Sequence, residues 1–333
     1  GAEIAEINAI TGTLALTSGV DASAMSSIYA EYTVTTSTVV ATGMSAAQLD
    51  AIDGAKVVAA GITGTFTINA DVTSTQITAL LADTDAGASL TIDATGMSAA
   101  QISAVEIGIG VVDSVTGLTL TASQSVAEIT DLLGSGAVAA NSVLVDVTGM
   151  TEAQLVVVAA GVATVPANGI TGVMSLSTAG LTDIEIGALL SDASVGATVT
   201  VDATSMTTAD LTALSTSIAK VDAITGLTVT DTQSSAEIGN LLSKASGATV
   251  NATNMDATDL GQVAANIGGV GSITNLTLDS TMGADLIGEL LGTKTVDASV
   301  DADATGMSAA QLNAIGAEIA EINAITGTLA LTS

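Results

Sequence analysis

Residues 197–206 read ATVTVDATSM, and in them Val199, Val201 and Ala203 alternate with Thr200, Asp202 and Thr204. That period of two is what a strand with one buried face requires. Helix signals follow such a strand at once in the sister copies. Ser308 and Gln311 fit a Ser-x-x-Gln capping box, in which hydroxyl and amide satisfy orphan N–H groups at a helix start, and so do Ser45/Gln48, Ser98/Gln101 and Thr151/Gln154. Leu312, Ile315, Ile319 and Ile322 then fall on one helical face. A second kind of segment behaves alike, with Leu118 and Leu120 in the strand, Ser125 and Glu128 as the box, and Ile129, Leu132 and Leu133 as the apolar stripe.

The nine residues ATSMTTADL from Ala203 belong to a series. ATGMSAAQL starts at Ala41, and variants start at Ala94, Val147, Ala252 and Ala304. A second motif, Ile/Val-Thr-Gly/Asn, begins at Ile10, Ile62, Val115, Ile170, Ile224, Ile273 and Ile325, and the two series interleave. Ile325 follows Ile10 by 315 residues, six units averaging 52.5, each holding two strand–helix halves of about 26 residues. Residues 1–333 are therefore expected to be one continuous array, six units with starts near 10, 62, 115, 170, 224 and 273 and the start of a seventh at 325. Residues 1–18 and 316–333 are identical, and that identity is expected to mark a window on a longer 315-residue super-repeat.

Composition narrows the partners. Thirty-four acids against four lysines and no arginine give a formal charge of −30, yet 48% of residues are hydrophobic, which excludes an acidic disordered tail. A core with only Tyr29, Tyr32 and Phe66 as aromatics is built from small aliphatic side chains in regular layers. Without a basic stripe or stacking aromatics, no nucleic acid is expected as a partner, and like charge repels anionic lipid. The longest apolar run, around Leu155 to Val165, is broken by Gly161 and Thr164 and followed by Pro166, so no membrane insertion is expected in this segment. Cysteine and histidine are absent and the four lysines occupy unrelated points of the repeat, so no catalytic residue, resident cofactor or enzyme activity is expected.

Strand and helix at a fixed short period imply a parallel sheet on one side and helices on the other, because right-handed crossovers that never reverse wind into a coil. The halves resemble leucine-rich repeats. VTVDATSM lays onto the family's L-x-L-x-x-N-x-L, with Val199 and Val201 as leucines, Thr204 at the asparagine and Met206 as the last leucine. Thr42, Thr95, Thr148, Thr253 and Thr305 take the asparagine position elsewhere. The fold expected is a right-handed, leucine-rich-repeat-like α/β solenoid. The alternative is a pure β-solenoid, which threonine and valine also suit but which gives the capping boxes no purpose.

Outward strand positions stack into ladders. One is acidic, Asp93, Asp146, Asp202 and Asp303, with Val40 and Asn251 in the other copies. Its bland reading is a solvated stripe that keeps an apolar protein soluble and blocks wrong strand pairing. Asp83 and Asp85, and Asp301 and Asp303, have the oxygen spacing of half a calcium loop, so calcium is the one candidate metal. The other ladder is threonine, Thr65/Thr67, Thr119/Thr121 and Thr228/Thr230. Flat Thr-x-Thr arrays resemble ice-binding solenoid faces, although aspartates expected in the matching position of alternate strands would break the array. The function expected is a structural repeat segment of an extracellular or cell-surface filament, sheath, surface layer or stalk, similar to giant bacterial or cyanobacterial repeat proteins. Its partner would be itself, by continuation or head-to-tail stacking. The alternative is an adhesin extender or a solenoid binding glycan, ice or a calcium-dependent ligand.

Overall fold

The computed structural model describes residues 10–33, 36–177, 180–194, 196–292 and 300–327. Lys294 and part of the duplicated stretch, residues 1–9 and 328–333, lie outside them. The fold is α/β: among the described residues eighteen short strands alternate with twelve helices. They form two compact units, residues 1–171 and 172–333. Each unit is a run of strand–helix coils resembling leucine-rich repeats, with three parallel three-stranded sheets. In the first unit these include Thr65–Ile68, Ser89–Asp93 and Ser114–Thr116; in the second, Val173–Leu176, Thr198–Asp202 and Ala223–Thr225. Among the described residues no helix is long and apolar enough to cross a membrane.

Alternation along each strand places the core. Val199 and Val201 are buried while Thr198, Thr200 and Asp202 face out, and Leu90 and Ile92 are buried in the same way. The helix stripe Ile129, Leu132 and Leu133 closes the other side of the core. Each such side chain contributes about 1.5–3 kcal/mol on full burial. Every box read from the sequence forms: Ser45, Ser98, Ser125, Thr151 and Ser308 each accept the N–H three residues on, and the residue there answers the cap. One expectation fails. The helix from Ala309 stops at Ala317, so Ile319 sits in a 3-10 turn and Ile322 begins a strand. The same turn closes the other ATGM-type coils, at Gly54–Lys56, Ile109–Val111, Val162–Thr164, Ile218–Lys220 and Ile267–Gly269. A helix face continued through it loses its period, because the chain tightens to three residues per turn.

The two sequence motifs are two backbone devices. In ATGM the Met97 N–H donates to the Ala94 carbonyl at 3.1 Å around Gly96 at φ +74°. This is the turn that demands a positive φ at its third position, and Ser205 and Asn254 adopt the same conformation in later copies. In Ile/Val-Thr-Gly the glycine breaks a strand in two. Gly117, at φ +66°, separates Ser114–Thr116 from Thr119–Leu120. The first piece pairs backward, Val115 opposite Ile92, and the second pairs forward, Leu120 opposite Val145.

The close packing at this break explains its residue choice. A Cβ at Gly117 would overlap the Thr95 hydroxyl of the preceding coil, and Gly226 meets Thr204 in the same way. Asn275 takes the position at φ +56° in the coil where Asn251 replaces the ladder aspartate, and its amide donates to Asn251 Oδ1 at 3.0 Å. Gly117→Ala is expected to cost roughly 1–3 kcal/mol from left-handed strain alone, and more from the overlap. Asn at both Asp93 and Gly117 should cost less than the two single changes summed, as a urea-denaturation double-mutant cycle would measure.

Candidate functional site

The capping box is the natural place to begin, because half of each capping glutamine faces away from its own helix. Gln101 Oε1 accepts the Ser98 N–H at 2.8 Å, and its Nε2 donates to the carbonyls of Ala70 and Val72, 2.9 and 2.7 Å away in the preceding coil. Gln48, Gln154 and Gln311 repeat this with Ser18 and Val20, Ala122 and Gln124, and Ser280 and Met282. Gln76 reaches Leu49 and Ile52. Where Glu128, Glu237 and Asp259 take the position, the preceding helix supplies a hydroxyl instead. Ser103 donates to Glu128 and Thr212 to Glu237, holding both carboxyls below the ordinary range together with the serine at the cap. Ser235 donates to Asp259 at 2.6 Å. The sequence shows the local half of this arrangement and not the half that spans coils.

The acidic ladder lies at the ends of the ATGM-type strands. Asp93, Asp146, Asp202 and Asp303 each turn Oδ1 to the N–H of the threonine two residues on, at 3.0–3.1 Å. Hydrogen bonds from the hydroxyl and N–H of Thr95, Thr204 and Thr305 hold the Asp93, Asp202 and Asp303 carboxyls below their ordinary values. Each ladder aspartate stands beside a threonine of the next coil, Thr116, Thr171, Thr225 or Thr326. Those threonines donate back across the sheet to the carbonyls of Ile92, Val145, Val201 and Ala302.

Of the threonine ladder, Thr65, Thr67, Thr119 and Thr228 face out, while Thr121 and Thr230 lie just past their strands. Their N–H groups donate to Gln124 and Gln233, both buried. The register also differs from expectation. Thr65 stands opposite Ser89 and Thr67 opposite Thr91, Thr228 opposite Thr249 and Thr119 opposite Leu144. Among the described strand pairs, only the last sheet sets an aspartate against the row, Asp301 opposite Thr277. The broken strands shift the register, which sequence spacing alone does not show.

The calcium candidates sit apart in their roles. Asp83 ends a helix, and burial raises its carboxyl. Asp85 Oδ1 accepts the Gly87 N–H at 2.8 Å, and Asp301 Oδ1 accepts the Asn323 amide at 3.0 Å. Among the described residues no three carboxylates converge as a metal set, whereas calcium takes six to eight oxygens. The lysines correct another expectation. Lys56 and Lys220 are not at unrelated points: each ends a 3-10 turn and donates to a backbone carbonyl 27 residues earlier, Tyr29 and Ala193. Asp113 and Asp222 likewise share a place, accepting the N–H of Leu90 and Val199 at 2.7 Å.

Clefts occur on the first unit. One of about 320 Å³ is apolar, between Leu81 and Ile107; another of about 690 Å³ is lined by Glu106, Asp113 and Asp131. Burial first, and then the hydrogen bond and repulsion of Asp131, raise the Glu106 carboxyl.

No protein-family model matches the sequence, and no curated protein matches it. Among solved structures the chain is similar to the leucine-rich repeat-containing protein LegL7 from Legionella pneumophila, 14% identical over 80% of this chain and 82% of that one, at a TM-score of 0.24. It is also similar to a chain of the yeast Rad7 and Elc1 complex, 15% identical over 96% and 78%, at a TM-score of 0.26.

Gln154→Glu should be markedly destabilising, by about 1–3 kcal/mol, because it removes both amide donors and sets a carboxylate against two carbonyls. Chemical denaturation measures it, and acidification should restore part of the loss. In the unsubstituted chain, Glu106 has a raised folded value, so it adds stability as pH falls from neutral through that value, completely below its ordinary 4.5. Asp93, Asp202 and Asp303 contribute fully above 3.8 and lose their contribution as pH falls through the lowered values. The thermal midpoint should therefore rise on acidification from neutrality to about pH 4–5 and fall below about pH 3. Glu106→Gln should flatten the rise.

Proposed function

We propose that the chain is a structural solenoid segment whose work is extension, part of a filament, sheath, surface layer or stalk outside the cell or on its surface. One observation supports this reading above the others. The recurring polar side chains, Gln48, Gln101, Gln154 and Gln311 at the helix starts and the threonines from Thr63 to Thr326 across the sheets, bond to the backbone of the neighbouring coil. Side chains repeated for a ligand would converge on a shared outer point; these converge on the adjoining backbone. A repeat whose conserved chemistry joins it to the next repeat lengthens without limit until something stops it.

The surface fits lateral regulation. A charge of −30 opposes side-by-side packing at low ionic strength and is screened within about 8 Å at physiological salt, so sheets or bundles are expected to respond to salt and divalent cations. Electron microscopy of purified protein in calcium and then in chelator tests the proposal. Ordered fibres or sheets are expected; discrete monomers that instead bind a glycan, ice or a cell surface would overturn it in favour of a binding module.

A further inference from the structure

Six of the nine methionines occupy one place in the repeat. Met44, Met97, Met150, Met206, Met255 and Met307 each close an ATGM-type turn, donating the backbone N–H to the carbonyl three residues back at 3.0–3.2 Å. Each also directly precedes a helix cap, Ser45, Ser98, Thr151, Thr207, Asp256 or Ser308. An apolar side chain at that place packs on the fourth residue of the helix and fixes the angle at which the chain enters it. The fourth residue is Leu49, Ile102, Leu155, Leu211, Leu260 or Leu312, so all six helix starts carry the two residues of a hydrophobic staple.

The six differ in how far solvent reaches them. Met44 and Met255 are 9% and 8% exposed, whereas Met97, Met150, Met206 and Met307 are half-buried. Met97 and Ile102 line a cleft of about 340 Å³ together with Thr119, Thr121 and Gln124 of the next coil. That volume admits molecules the size of water or peroxide. The remaining three methionines are sealed, Met25 and Met174 at 0% and Met282 at 3%. Met282 precedes the cap Gly283 of another helix, so it holds the same place at a helix start with its sulfur out of reach.

We propose that Met97, Met150, Met206 and Met307 are oxidation sites for peroxide-type two-electron oxidants, and that their oxidation loosens the joint between coils. The sulfur lone pair attacks one peroxide oxygen, the O–O bond breaks, an S–O bond forms and the second oxygen leaves as water. Sulfur is oxidised by two electrons and peroxide is reduced by the same two. No cysteine competes for the oxidant. The product is a polar sulfoxide in place of an apolar staple, and its oxygen needs a hydrogen-bond donor if it is to stay packed against Ile102 or its counterparts. The recurring amides of these helix starts, Gln101, Gln154 and Gln311, are already committed to carbonyls of the preceding coil. Either the staple opens to water or the amide leaves those carbonyls, and both release the helix start that holds coil on coil.

The full-length chain exposed to hydrogen peroxide at neutral pH, followed by peptide mass spectrometry and by thermal melting, tests this. One added oxygen is expected at each of the four positions while Met25, Met174 and Met282 stay unmodified, and Met44 and Met255 should react later than the four. The thermal midpoint should fall by several degrees as the four convert. It should return when the two methionine sulfoxide reductases, one for each sulfoxide epimer, remove the oxygen. The variant M97L/M150L/M206L/M307L keeps apolar staples without sulfur, and its midpoint should hold through the same treatment. Three results would overturn the proposal: oxidation of Met282 as fast as Met97, an unchanged midpoint once the four carry oxygen, or an equal loss in the leucine variant. The first two are read on the unsubstituted chain, so they decide the matter whether or not the variant folds. None of the three depends on whether the chain forms fibres.

Discussion

A single side-chain amide, that of the capping glutamine, ties three backbone groups in two coils. Gln101 takes the N–H at its own helix start and gives two hydrogens to carbonyls of the turn before it. A helix start and a turn are both places where backbone groups lack partners, and here one residue supplies both. Net hydrogen bonds contribute only about 1 kcal/mol each, but leaving these carbonyls dry and unpaired costs more, so the amide sets which coil sits on which. A core of alanine, valine and leucine has few shapes with which to enforce register. Polar ties supply the specificity that large aromatic side chains supply in irregular cores.

Substitutions along the repeat respect this constraint by changing in partnered sets. Glu128 lacks the amide hydrogens, and Ser103 offers it a hydroxyl; Asp259 receives Ser235. Asn251 stands where other coils have aspartate, and Asn275 stands where they have glycine, joined by an amide hydrogen bond. Lys56 and Lys220 each cover a carbonyl at the end of an earlier helix, where a cation also meets the negative end of the helix dipole. The repeat has therefore diverged in letters while keeping one pattern of contacts between coils.

The parts of this pattern that lie within a few residues were legible in the sequence. Ser98 and Gln101 are three apart, and Val199 and Val201 two apart, so cap and buried face could be read directly. What spans a coil could not. The second half of Gln101 acts across 29–31 residues, and nothing in its neighbours signals the target. The glycine of the Ile/Val-Thr-Gly motif is visible as a letter, but the break it makes at Gly117, and the shift that sets Thr67 beside Thr91 and not beside Asp93, follow from strand pairing. The 3-10 turn at Ile319–Glu321 was hidden because its isoleucines continue the apolar rhythm of the helix before it. The ladder aspartates were visible as a row; their bond to the threonine two residues on became clear only with the turn around Gly96.

The direction of the glutamine bond gives the fold an arrow. Each glutamine-capped coil carries the donors that finish the turn of the coil before it. A chain emerging from the ribosome amino end first is thus sealed one coil behind the point of synthesis. A newly made glutamine-capped helix locks the turn before it, whose carbonyls faced forward as acceptors. Such a chain can be lengthened during synthesis without ever exposing more than one unfinished layer.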